Sequence, residues 1–206
     1  DLTWRDVKYL LAVTAKQLGT GSSIDLSGVT QDLGWQTNAE GFTFNNNYGF
    51  GVVDVSELVS TARNYTPGTL SSYLQKDTLL ADVSGEIPNG TAVPLMVKLS
   101  SDLEARVETV RLVMDVDHDH PKDLTVILES PSGTRSVLLS MDSAYLSLEY
   151  PLALGTNAFY RESAKGEWTI SVYDMDGDEN SELDWFPNLD SSGSLNSIRF
   201  EIMAGD

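Results

Sequence analysis

Beyond residue 66 the chain alternates. Leu95, Val97 and Leu99 are interleaved with Met96, Lys98 and Ser100. Val110, Leu112, Met114 and Val116 share one face of a period-two pattern, as do Leu124, Val126 and Leu128, then Trp168, Ile170 and Val172, and finally Ile198, Phe200 and Ile202. Successive side chains of a strand point to opposite faces, so each run presents one apolar face. Turns rich in Gly, Pro, Asp and Ser separate the runs, and no helical period intervenes. This pattern predicts an antiparallel β-sandwich whose two sheets bury their apolar faces against each other. It does not choose between a jelly roll and an immunoglobulin-like order.

Residues 1–65 read differently. Thr3 can cap a helix, with Asp6 answering it in a capping box. Val7, Leu10, Leu11 and Leu18 then fall near one helical face. Residues 19–47 are rich in Gly, Ser, Thr and Asn and predict mostly loop. Asp54 and Glu57 open a second short helix, with Leu58, Val59 and Ala62 on one face. Thr66-Pro67-Gly68 is a breaker and the expected domain boundary, dividing the chain into 1–65 and 66–206.

Charge narrows the function classes. Asp and Glu number 31 against 13 Lys and Arg, for a net charge of −18. Phosphate binding needs clustered cations, so nucleic acid is not an expected partner. No apolar run approaches the roughly 18 residues of a membrane span. Cysteine is absent, which rules out disulfides and thiolate metal sites.

Six motifs then carry a resemblance. Asp1-Leu2-Thr3-Trp4-Arg5-Asp6-Val7 resembles the segment that follows the nucleophile helix in kexin/furin-type, subtilisin-like serine endopeptidases. Tyr48-Gly49-Phe50-Gly51-Val52-Val53-Asp54 resembles the YGFGxxDA motif closing their catalytic domain, with Val55 where Ala is usual. Lys122-Asp123-Leu124 resembles the GDL motif of their P (Homo B) domain, with Lys122 in place of Gly. Ser130-Pro131-Ser132-Gly133-Thr134-Arg135-Ser136 resembles the SPxGTRS turn. Gly166-Glu167-Trp168 and Gly193-Ser194-Leu195-Asn196-Ser197 resemble GxW and GTLNSW, with Ile198 replacing the last tryptophan.

The resemblance implies that residues 1–65 are the C-terminal end of an α/β subtilisin-like catalytic domain and residues 66–206 a jelly-roll-like P domain. It also implies a secreted parent protease and, as partner, that protease's N-terminal catalytic domain, through which alone peptide or protein substrates would be met. The family's GTSxA-type nucleophile motif does not occur here. The histidines are His118 and His120, and no G-x-S-x-G elbow accompanies them. The chain alone is therefore expected to lack peptidase activity.

Metal chemistry has two candidates. Asp174, Asp176, Asp178, Glu182 and Asp184 bring alternate carboxylates into one short stretch, the hard-oxygen pattern calcium needs. The start resembles an EF-hand loop, but Glu179 stands at the sharp-turn glycine position and Trp185 where the bidentate Glu belongs. Asp115, Asp117, Asp119 and Asp123 form the second group. For both groups the alternative is a solvated acidic surface. A rival function is an independent calcium-stabilised sandwich for adhesion or carbohydrate binding, with Tyr145, Tyr150, Phe159 and Tyr160 as its aromatics. The helical first 65 residues argue against it. Had that segment lost its partner domain, Leu10, Leu11, Val13, Leu58 and Val59 would lack packing, and the segment would be loosely ordered or would stick to the sandwich or to a second molecule through its exposed apolar patch.

Overall fold

The structure, a computed structural model, describes residues 1–90, 92–118, 121–141, 151–175 and 193–206. Helix α1 (Trp4–Thr14) is followed by two short ladders. β1 (Ile24–Leu26) pairs with β2 (Val29–Asp32), and β3 (Gln36–Thr37) pairs with β4 (Thr43–Phe44). Helix α2 (Val55–Asn64) ends the N-terminal segment. The sandwich strands are β5 (Gln75–Ile87), β6 (Leu95–Ser101), β7 (Arg106–Asp117), β8 (Leu124–Glu129), β9 (Arg135–Leu139), β10 (Leu152–Thr156), β11 (Gly166–Asp174) and β12 (Gly193–Gly205).

They form two four-stranded sheets, ordered β10-β7-β12-β5 and β6-β11-β8-β9, with every pairing antiparallel. The pairings nest: β5 with β12, β6 with β11, β7 with β10, β8 with β9. A long antiparallel hairpin wound around a barrel axis gives this order, so the topology is a jelly roll. Long-range pairing settles here what local alternation left open.

The expected inward faces meet in one core. Leu112, Met114, Leu124, Val126, Leu128, Ile170, Val172, Phe200 and Ile202 are fully buried within it. Trp168 sits at its centre, 5.1 Å from the Phe159 ring and 5.2 Å from the Phe200 ring between centroids. Its indole N–H donates to the Ala164 carbonyl at 3.0 Å, which satisfies the polar end of a buried ring.

The N-terminal segment does not stand apart from the sandwich. Val29 packs with Ile127 and Val137 on the outer face of the second sheet, joined by Leu33, Tyr173 and Met175. Gln31 accepts from the Thr125 hydroxyl, and Asn46 donates to the Val137 carbonyl at 2.8 Å. Asn38 donates to the carbonyls of Ala158 and Tyr160 at 3.0 and 2.8 Å. Of the two expected outcomes, a loose segment or one held against the sandwich, these contacts match the second, made by polar groups that no local pattern announces.

Both helix starts match the sequence reading. The Thr3 hydroxyl accepts from the Asp6 N–H and the Asp6 carboxylate accepts from the Thr3 N–H, completing the capping box. Asp54 accepts from the Glu57 N–H at 3.0 Å. The helix faces depart from it. Helix α1 buries Arg5, Asp6, Leu10 and Thr14, whereas Val7 and Leu11 face solvent and Leu18 lies beyond the helix. Helix α2 buries no residue fully.

Candidate functional site

The motif residues first show a structural role. In the β8–β9 hairpin Pro131 enters the turn and Gly133 holds φ 83°, a left-handed conformation that favours glycine. Gly166 holds φ 131°, and a Cβ there would lie 2.6 Å from the Pro131 ring. Two motifs separated in sequence therefore touch, and the absence of a side chain permits the contact. A Cβ on Gly193 would likewise lie 2.0 Å from the His118 ring. His118 is buried, with Nε2 3.0 Å from Oδ2 of the buried Asp174. These contacts account for two glycine-bearing motifs and one histidine without invoking catalysis.

The predicted metal residues divide. Asp174 is fully buried at the end of β11 and faces the same side as Trp168, Ile170 and Val172. Among the described residues its Oδ1 has no hydrogen-bond partner. Asp176, Asp178, Glu182 and Asp184 lie outside the described residues, as does Asp119. Asp115 and Asp117 are exposed on β7, while Asp123 is buried in the 3-10 turn Pro121–Asp123, where its carbonyl accepts from the Met175 N–H at 3.0 Å. Among the described residues no three His, Asp or Glu side chains are grouped to hold a metal ion. Of the aromatics weighed for a binding module, Phe159 and Tyr160 are core residues with no exposed surface. Tyr145 and Tyr150 lie outside the described residues.

The feature with no partner is apolar. Trp4, Val7 and Leu11 recur at the spacing of one helical face, and that face of α1 points to solvent. With Phe50, Gly51 and Val53 they line an open groove of about 370 Å³. Val52, Val55 and Val59 are also exposed, the last two on α2. Gly51 fixes the wall: its φ is 119°, and a Cβ would lie 2.3 Å from the Lys16 carbonyl. Isolated exposed hydrophobics are ordinary, but a contiguous exposed stripe on a well-anchored helix marks an interaction surface.

Beneath this face the helix is held by polar contacts that sequence reasoning missed. Lys8 Nζ donates to the Glu108 carbonyl at 2.7 Å and lies 4.7 Å from the Tyr160 ring centroid. Burial pushes the Lys8 pKa below the ordinary lysine value, against the opposing pull of Glu108. Asp6 accepts from the N–H groups of Thr3, Gly68 and Leu70 and from the Tyr65 hydroxyl. Burial alone would raise its pKa. Those four donors outweigh burial and hold the carboxyl well below the usual carboxylate range. The capping box was the one signal in the sequence that Asp6 was engaged.

Comparison with known proteins agrees with this geometry. Residues 107–187 match the proprotein convertase P-domain family. An extracellular serine protease of Aeromonas sobria is 31% identical over 85% of this chain and 32% of its own length. Human proprotein convertase subtilisin/kexin type 5 is 31% identical over 84% of this chain, and rat neuroendocrine convertase 2 is 27% identical over 84%. The chain thus spans about a third of the bacterial relative. The crystal structure of the Aeromonas sobria serine protease in complex with the chaperone ORF2 superposes with a TM-score of 0.82 at 27% identity, covering 100% of this chain and 40% of that one.

Proposed function

This chain matches the C-terminal, P-domain-bearing part of the kexin/furin-type subtilisin-like serine endopeptidases, and from that premise we propose that it is the non-catalytic portion of a secreted protease, supporting the folding and stability of a catalytic body that packs against it. The observation that carries the reading is the groove of Trp4, Val7, Leu11, Phe50 and Val53. It is an apolar surface on a helix fixed to the sandwich, with the character of a core cut open. The catalytic body is the partner, and it would meet the peptide or protein substrates. Secretion rests on the relatives, one of which is described as extracellular. Among the described residues no helix is long and apolar enough to cross a membrane.

Calcium belongs to the same proposal. Asp174, at the head of an acidic run, offers a buried carboxylate oxygen with no hydrogen-bond partner among the described residues, and acids so close in sequence repel one another unless a cation compensates them. Asp174, Asp176, Asp178, Glu182 and Asp184 would hold the ion, with Asp115, Asp117, Asp119 and Asp123 as the second group. A ligand that binds only the folded state stabilises it by about 2.7 kcal/mol at a hundredfold excess over Kd. Melting should shift upward with calcium but not with magnesium, and Asp176→Asn with Asp178→Asn should remove the part of the shift that the first group contributes. An unchanged melting temperature in calcium removes the metal from the account.

Peptidase assays test the proposal as a whole. The isolated chain should turn over no fluorogenic peptide, and adding the catalytic portion of the parent protein should restore turnover that a serine-directed inhibitor blocks. Inhibitor-sensitive turnover by the chain alone would overturn it. So would a catalytic portion that is fully active and stable without the chain.

A further inference from the structure

Arg5 has no exposed surface, and its guanidinium hydrogen bonds run to residues far from its own helix. Nε donates to Glu108 Oε1 at 2.7 Å. Nη1 donates to the Ser71 carbonyl at 2.7 Å and to Asp206 Oδ1 at 2.9 Å, and Nη2 donates to the Asp206 carbonyl at 2.8 Å. Glu108 is itself buried on β7, where Lys8 Nζ stands 3.3 Å from its other oxygen. Arg161, a non-glycine residue held at φ 67°, sends a second guanidinium to the Asp206 carbonyl at 2.7 Å. The cluster thus joins helix α1, the segment after α2, strand β7, the loop before β11 and the end of the chain.

The Arg5–Glu108 pair is buried, whereas the Asp206 side chain is largely exposed. Buried ion pairs contribute little net stability compared with apolar packing, but removing one partner is costly because it strands the other charge. What such a cluster gives best is a single allowed seating. Glu108 lies on β7 and Asp206 directly follows β12, and those strands are paired over most of their length. We infer that Arg5, Glu108 and Asp206 form a latch through which the completed sandwich holds helix α1, and with it the apolar docking face, in its working position. Arg5 is a positioning residue in this scheme. The inference rests on the reading of that face given above. Gly205 is part of the latch: a Cβ there would lie 2.6 Å from the Arg5 guanidinium. Its backbone is unstrained, so the missing side chain leaves room for Arg5 and serves no turn.

Hydrogen exchange on the 206-residue chain tests the latch without any catalytic partner, so its failure and the failure of the docking proposal are separable. The variants are Arg5→Met, Glu108→Gln, Gly205→Ala and the Arg5→Met/Gly205→Ala double substitution. Arg5→Met and Gly205→Ala should each speed exchange of the α1 amides by about tenfold or more, while amides around Val126 and Ile170 slow down or speed up far less. Glu108→Gln, which keeps the shape and one acceptor, should show the same ordering with a smaller effect. Gly205→Ala should do nothing further once Arg5 is Met, because the group it displaces is gone. Unchanged α1 exchange in Arg5→Met and Gly205→Ala would overturn the inference, since the Thr3 and Asp6 cap would then suffice. Equal loss of protection in α1 and the sandwich in every variant would overturn it too, since helix and sandwich would then be one cooperative core.

Discussion

Asp6 shows how much one side chain can organise. It closes a capping box and then binds the two N–H groups and the hydroxyl that fix the chain after α2. Its folded pKa lies below the unfolded value of about 4, so its stabilisation is present above that pH and fades as pH falls toward the folded value. Asp6→Asn should cost about 2 kcal/mol at neutral pH by weakening charge-assisted hydrogen bonds. The gap between parent and variant should narrow below about pH 4, which chemical denaturation at a series of pH values would show. Gly166→Ala is a sharper test of packing. It combines a left-handed φ with a 2.6 Å approach to Pro131, and should cost about 2 kcal/mol or more. An unaltered denaturation midpoint would mean that the β8–β9 turn moves aside freely.

Elements divide between those written locally and those written at a distance. Strands β6, β7, β8, β11 and β12 were legible from large apolar residues at every second position, although in β8 the outward Thr125 and Ile127 are buried as well, beneath the N-terminal segment. β5 is masked by the exposed Leu80 and the small inward Ala81 and Gly85, and β10 by its Ala153 and Gly155. Helix α1 was found by its cap, and its exposed apolar side agrees with the expectation that Leu11 and Val13 lack partners within this chain, whereas Leu10 is buried. The inner side carries Arg5 and Asp6, whose partners lie as far as 201 residues away, and the apolar side faces solvent. The sequence pattern announced an exposed apolar patch, but not that Trp4, Val7 and Leu11 would form it. Leu10→Ala should destabilise the chain by about 3 kcal/mol, since Leu10 is buried. Val7→Asp and Leu11→Asp should leave its melting nearly unchanged, because both residues already meet water. A large destabilisation from Leu11→Asp would place that face inside the chain's own core.

At the scale of the whole molecule the jelly roll, the wrapped N-terminal segment and the uncovered groove form one argument. Motif order was readable in the sequence, and so was the family it resembles, but strand order was not, because the nested pairing joins β5 to β12 across the full sandwich. The sequence boundary at Thr66-Pro67-Gly68 is crossed by Arg5, Asn38 and Asn46, all of which bond beyond it. The N-terminal segment thus has one side fastened to the sandwich and another side bare. The central claim is that the bare side is covered in the intact protease, and hydroxyl-radical footprinting reads this directly. In the isolated chain Trp4, Val7, Leu11 and Val53 should be labelled along with Leu80 and Met96, which are exposed on the sandwich. In the intact parent protein the first four should be protected while Leu80 and Met96 stay labelled. Equal labelling of all six in both forms would contradict the account.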